Sequence, residues 1–319
     1  MLTKLKKAAH FVGTALMLVA LTWVGYRLVQ EISGLESTYL SWETAIDIAV
    51  CALVYAIIQV LISAAWGTIY SGTSDHNARL MEVVNLYGRS HIVKYIPGNV
   101  LQLVQRQLIG ARYGWSQASM AMASFLEIVL QVSVCLILIL LLGLHQIGDK
   151  LGVHNQLLPL FIIALVGVVV MWIMFFFAPL LPLVHRIIDP HRLKRLALGP
   201  SIPIALTLLL TFFVLKSSLF WYLGYRVGIE HSLENLDLIM ASFLVAWVIG
   251  YLALGAPGGL GVREALIVLL LESTLGPAEA ILLATMFRVV NVMGDIIYFL
   301  FALVVGGHYT RHQGSAEPL

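Results

Sequence analysis

Charged residues are scarce in this chain. Asp, Glu, Lys and Arg make up 11% of its 319 residues, against about 25% in soluble domains, and the mean hydropathy is +0.92. So little charge cannot cover a water-facing surface of this size, which argues against a soluble protein. Cysteine is scarcer still: Cys51 and Cys135 are the only two. Both lie in apolar runs, with no CxxC spacing and no histidine partner. That excludes a disulfide framework and a zinc module, and reads as two buried free thiols. HExxH, GxSxG, Walker A and GxGxxG patterns are all missing. The polar loops are too short to house a soluble catalytic domain, and the aspartates do not cluster as a metal–diphosphate site requires. An enzyme is therefore not expected, nor a metal or other cofactor. The formal net charge of +2 is spread over short loops, which gives nucleic acid no footprint.

What the chain has instead is long apolar runs. About 20 apolar residues are needed to cross the hydrocarbon as a helix, and runs of that order lie near 8–30, 44–70, 118–143, 157–181, 201–226 and 280–306. The first follows Lys4, Lys6 and Lys7. It is longer than the core of a signal peptide and lacks a small-residue cleavage site, so a retained span is expected. Two further stretches, 82–112 and 238–274, are too polar or too broken for simple spans. Each fits a re-entrant helical hairpin, which survives at membrane depth only where protein or a wet cavity covers the irregular backbone.

The breaks in these two stretches match. Tyr95-Ile96-Pro97-Gly98-Asn99 interrupts the first and Ala256-Pro257-Gly258-Gly259-Leu260-Gly261 the second, with Pro97 and Pro257 160 positions apart. Gln59 and Lys216 are offset by 157, and both Gly114/Gly276 and Phe125/Phe287 by 162. Basic residues mark cytoplasmic loops. Lys4, Lys6 and Lys7 place the N-terminus inside, Arg186, Arg192, Lys194 and Arg195 the 182–200 connection inside, and Arg311 the C-terminus inside. Glu31, Glu36 and Glu43, and then Glu230, Glu234 and Asp237, mark external loops. The expectation is an all-α polytopic protein of the cytoplasmic (inner) membrane, with six spans, two hairpins and both termini cytoplasmic. Residues 1–156 and 157–319 form an inverted repeat. In transporters of that kind, interrupted helices meet near the midplane and form the substrate site.

Ionisable groups inside spans are costly and usually face the bundle interior. Glu127 lies within its span with Gln131 one turn on, and Lys216 sits deep in the fifth span. Arg288, Asn291 and Asp295 recur at i, i+3 and i+7, one face of the last span. Two readings stay open: substrate ligands, or buried ion pairs among Glu127, Arg288 and Asp295 that join the repeats. Lys216 is also compatible with snorkelling toward the interface beside Trp221 and Tyr222.

In the first hairpin Arg89, His91, Lys94, Arg106 and Arg112 surround the break. A half-helix starting after Gly98 would aim free N–H groups at an anion, and arginines would complete a phosphate seat. The alternative, favoured for Arg79 and Arg112, is contact with anionic headgroups at the interface. In the second hairpin Gly258, Gly259 and Gly261 permit positive φ and close backbone approach, and Arg263-Glu264 opens the returning helix. The expected substrate-binding set is Arg89, Lys94, Tyr95, Pro97, Gly98, Asn99, Gln102, Arg106, Glu127, Pro257, Gly258, Gly259, Gly261, Arg263, Glu264, Arg288 and Asp295.

Three of these stretches resemble a known family. Lys94-Tyr95-Ile96-Pro97-Gly98-Asn99-Val100-Leu101-Gln102-Leu103 is similar to its "yIPGnvwql" segment, with Leu101 where the family often has Trp. Ala256-Pro257-Gly258-Gly259-Leu260-Gly261-Val262-Arg263-Glu264-Ala265 is similar to its "aPgGlGvrEa" signature, and Phe287-Arg288-Val289-Val290 to its arginine-bearing last span. The family is the lysylphosphatidylglycerol synthase transmembrane region, also described as flippase-like membrane proteins. The resemblance implies a cell-envelope lipid flippase, here a stand-alone member without the transferase domain. Its substrate would be an anionic, phosphate-bearing lipid: a phospholipid or a polyprenyl-phosphate-linked sugar. Its partners would be membrane lipids and a separate lipid-modifying or glycosyltransferase enzyme. The alternative readings are an intramembrane enzyme acting on a lipid headgroup and an accessory scaffold in a glycolipid pathway.

Overall fold

A computed structural model describes residues 41–95, 101–143, 199–229, 233–253 and 256–314, with positions 166 and 196 besides. Among the described residues there is no strand. The described residues include eight continuous α-helices: α1 Trp42–Thr73, α2 Leu80–His91, α3 Leu101–Arg112, α4 Gln117–Leu142, α5 Ser201–Arg226, α6 Leu233–Leu252, α7 Val262–Leu275 and α8 Pro277–Gly314. Two 3₁₀ turns, Ile92–Tyr95 and Pro257–Gly259, stand at the breaks.

The helix starts follow local chemistry. Ser41 caps α1 by accepting the Thr44 N–H at 3.3 Å, and Ser116 caps α4 from the Ser119 N–H at 3.4 Å. Each satisfies a donor that the first turn leaves orphaned. Glu82 in the first turn of α2 accepts the Arg79 N–H at 3.1 Å, and Glu264 in α7 accepts the Gly261 N–H at 2.6 Å. Each carboxylate also suits the positive end of its helix.

Among the described residues five helices are long and apolar enough to cross a membrane: Trp42–Thr73, Gln117–Leu142, Ser201–Arg226, Asn235–Leu252 and Pro277–Gly306. The expected spans at 44–70, 118–143, 201–226 and 280–306 all appear. Those at 8–30 and 157–181 lie outside the described residues, as does the repeat boundary at 156/157. The fifth helix is a difference. The expected hairpin 238–274 begins with a 20-residue limb, α6, long enough to span about 30 Å by itself. By contrast, α2 and α3 have 12 residues each, about 18 Å, and cannot cross alone. The sequence break at Pro257 is real, but it divides the stretch unequally, because apolar patterning continues unbroken from Leu238 to Leu252.

The two halves share one core. α1 packs on α5 and α8 and also meets α4 and α2, while α8 packs on α1, α2 and α7. Small residues allow these approaches, as in membranes generally. A Cβ on Gly294 of α8 would lie 2.8 Å from the Ala52 carbonyl oxygen of α1. Aromatic stacks fill the interior. Trp66, Tyr70 and Trp115 lie face to face, with the Tyr70 and Trp115 centroids 4.6 Å apart. Phe213 meets Trp247 edge-on at 4.7 Å. Outward positions such as Ile57, Leu141 and Val304 are apolar and exposed, the pattern lipid requires. α1 and α5 are tied at one end by Arg226, which donates to Asp47, and by Tyr222, which donates to the same carboxylate at 3.0 Å.

Candidate functional site

The two breaks meet. Tyr95, at the end of the first 3₁₀ turn, stands beside Gly258 in the second: a Cβ added to Gly258 would fall 3.6 Å from the Tyr95 ring. The Arg288 guanidinium of α8 donates to the Gly258 carbonyl at 3.3 Å and stands 5.7 Å from the Tyr95 ring centroid. Behind this contact opens a cavity of about 180 Å³, room for on the order of ten waters. Lys94, Gln102, Arg106, Glu127, Gly258, Gly259 and Arg263 line it, all from the expected set. A smaller pocket adjoins it, lined by Glu264, Arg288 and Asn291. Lys216, Trp247 and Arg263 belong to both walls.

Three ion pairs organise the charges, and none joins Arg288 to Asp295 as one reading of the sequence anticipated. Asp295 of α8 takes Lys94 at 2.7 Å. It also accepts the Tyr95 hydroxyl at 2.6 Å and the Gln59 amide at 2.8 Å. Its side chain is fully enclosed, and these donors compensate the buried charge. The Lys94 ammonium has donors only, so the His91 Nε2 at 2.7 Å accepts from it. The same Nε2 stands 3.4 Å from Asp295, and the charge on Asp295 is answered by Lys94. Arg288 pairs with Glu264 of α7 at 3.4 Å. The swap has a geometric cause. Positions 288 and 295 share a helix face two turns apart, and each meets the helix break opposite its own level.

The third pair, Arg106 with Glu127, is the most enclosed: 2.8 Å long, with side chains 2% and 3% exposed. The Tyr87 hydroxyl donates to the same carboxylate. The Arg106 guanidinium sits 4.1 Å from the Tyr87 ring and 5.1 Å from the Trp66 ring.

Two cations remain. Lys216 is 4% exposed. Its ammonium donates to the Tyr55 hydroxyl at 3.2 Å and faces the Tyr55 and Phe212 rings at 4.7 and 5.3 Å. It lines the cavity, so the snorkelling alternative fails. Arg263 threads between two glycines. A Cβ on Gly259 would lie 2.7 Å from its Nε, and one on Gly250 would meet the same side chain. Its plane covers Trp247 at 5.6 Å, and its buried Nε has no hydrogen-bond partner. Among the described residues neither cation has a carboxylate. An ion taken from water without a partner costs several kcal/mol, while a cation–π contact returns about 0.5–2 kcal/mol. The aromatic faces therefore offset only part of the cost.

The glycines behave partly as expected. Gly258, Gly259 and Gly261 all have positive φ, at 57°, 72° and 80°. Their role at Gly259 differs, because the space beside it holds Arg263 and the Gly250 carbonyl oxygen, 2.9 Å from the place of a Cβ. Pro257 is buried, and Gly261 begins α7. Arg89 is half-buried and lines neither cavity. Arg79 and Arg112 are exposed. Pro97, Gly98 and Asn99 lie outside the described residues.

Sequence reasoning missed Tyr55, Tyr87, Trp247 and Tyr251 as lining residues, since aromatics are common in spans and nothing marked these four. Gln59 carried a signal, as a lone amide in an apolar run. Among the described residues no His, Cys, Asp and Glu gather as a metal site would need. No protein-family model matches the chain, and no curated protein matches it.

Proposed function

We propose that this protein is a lipid flippase that carries an anionic, phosphate-bearing headgroup across the membrane while the acyl chains stay in lipid. The observation that carries this reading is the charge of the cavity. Among the described residues five cations (Lys94, Arg106, Lys216, Arg263 and Arg288) stand in or beside it against three carboxylates (Glu127, Glu264 and Asp295). A surplus of positive charge among apolar helices is hard to reconcile with a purely structural interior and suits a phosphate in transit.

The architecture belonging to this reading is the inverted repeat of the sequence analysis, with α2–α3 and α6–α7 as its two interrupted elements. Their tips touch, both return limbs end at a positive-φ glycine, Gly114 and Gly276, and each then passes into a long apolar helix. These features agree with a pseudo-twofold arrangement and with the flippase-like family that the motifs resemble. In this arrangement α2–α3 re-enters from the cytoplasmic side and both termini are cytoplasmic.

The test is reconstitution into vesicles containing headgroup-labelled phospholipids and polyprenyl-phosphate lipids, read by leaflet-selective quenching. An accelerated exchange of at least one anionic lipid is expected. Rates equal to protein-free vesicles for every anionic lipid would overturn the reading. Cysteine-accessibility scanning tests the topology: 228–237 should label from outside and 186–195 from inside, and labelling from one side only would exclude it.

A further inference from the structure

The headgroup's charge state can be read from which cations, among the described residues, stand without a carboxylate. Lys94, Arg106 and Arg288 each face a carboxylate at 2.7, 2.8 and 3.4 Å. Among the described residues Lys216 and Arg263 form no such pair, and these two share the wall between the main cavity and the smaller pocket. Both are held rather than loosely placed. Lys216 is fixed by the Tyr55 hydroxyl and two aromatic faces. Arg263 is fixed by Trp247 and the two glycines that make room for it. Gly250 lies near the end of α6 and Gly259 within the second break, so the break itself forms one side of the arginine's groove.

We infer that Lys216 and Arg263 form the anion seat of the cavity and that the seat takes a doubly charged phosphate monoester rather than a singly charged phosphodiester. The inference rests on the flippase reading for its setting and specifies its substrate class. A monoester carries about −1.5 to −2 at pH 7 because its second pKa is about 6. It therefore neutralises both free cations, whereas a diester leaves one uncompensated. Guanidinium and ammonium also suit the terminal oxygens of a monoester, three of which are free to accept. Headgroups bearing an added amine, such as aminoacylated phospholipids, are disfavoured, since they would bring a further cation into a site already in surplus.

Binding to the full chain in detergent micelles tests this, with three probes: lysophosphatidic acid as monoester, lysophosphatidylglycerol as diester and inorganic phosphate. The monoester should bind tighter than the diester by on the order of tenfold or more at pH 7.5, the effect of one added charge-assisted contact. That advantage should shrink toward parity at pH 5, where the monoester carries a single charge. Arg263→Gln and Lys216→Gln should each remove the preference, and Lys216→Arg should keep it. Should either Gln variant fail to fold, the pH dependence of the wild-type preference decides alone. Equal affinity for monoester and diester at pH 7.5, or a preference unchanged at pH 5, overturns the inference while leaving lipid translocation standing. Inorganic phosphate binding as tightly as the lysolipid upholds the dianion seat and instead removes the lipid from the proposed function.

Discussion

Asp295 offers the clearest test of how the interior charges are arranged. It is a fully enclosed carboxylate holding Lys94 at 2.7 Å, with the Tyr95 hydroxyl and the Gln59 amide as further donors. Asp295→Asn keeps the shape and removes the charge, leaving the Lys94 ammonium buried without an anion. Breaking a buried pair from one side costs about 3–5 kcal/mol. Lys94→Met is the gentler change, since Tyr95 and Gln59 still donate to the carboxylate and the freed His91 Nε2 can bind a proton beside it. A loss of about 1–3 kcal/mol is expected, the cost of one missing partner. The double variant removes both charges, and its loss should fall short of the sum by roughly 1–3 kcal/mol. Unfolding in mixed micelles, followed by tryptophan fluorescence, reads all three values. A parallel cycle on Arg288→Met and Asp295→Asn should show much weaker coupling, because Arg288 pairs with Glu264. Additivity within about 0.5 kcal/mol for Lys94 and Asp295, or stronger coupling of Asp295 to Arg288, would refute this pairing.

Gly259→Ala should lower the thermal midpoint in detergent. Its φ of 72° and a Cβ 2.7 Å from Arg263 Nε leave no relaxed conformation, with the φ alone costing about 1 kcal/mol; an unchanged midpoint would exclude this packing. Tyr87→Phe removes one donor from the Arg106–Glu127 pair and should cost about 1–3 kcal/mol in the same unfolding assay, whereas no loss would mean that the hydroxyl does not serve Glu127. Cys51 and Cys135, 2% and 0% exposed, should resist maleimide in the folded protein and label fully after denaturation. Rapid labelling of either in the native state would contradict the burial.

Much of the fold was legible in the chain because membrane burial writes a strong one-dimensional signal. Four apolar runs became helices within a few residues of their expected bounds, and Ser41 and Ser116 mark two of the starts with side chains that cap them. The breaks were legible too, since a Pro–Gly pair cannot continue a helix whatever surrounds it. Lys94, Arg106, Glu127, Arg263, Arg288 and Asp295 stood out by being charged in apolar company, and all six lie in or against one site.

Which charge answers which was not legible. Arg288 and Asp295 share a helix face in sequence, yet their partners come from two different broken segments, and only packing decides which break stands at which level. Nor could composition show that Arg263 and Lys216 go without carboxylates among the described residues, or that Gly259 makes room for an arginine. Hydropathy and helix breaking act within a segment, so the sequence by itself determined an all-helical, membrane-type chain with two broken elements and a short list of buried ions. Ion pairing and cation–aromatic contact act across segments at a few ångströms, so only the tertiary structure decided how those ions are matched and which two are left over.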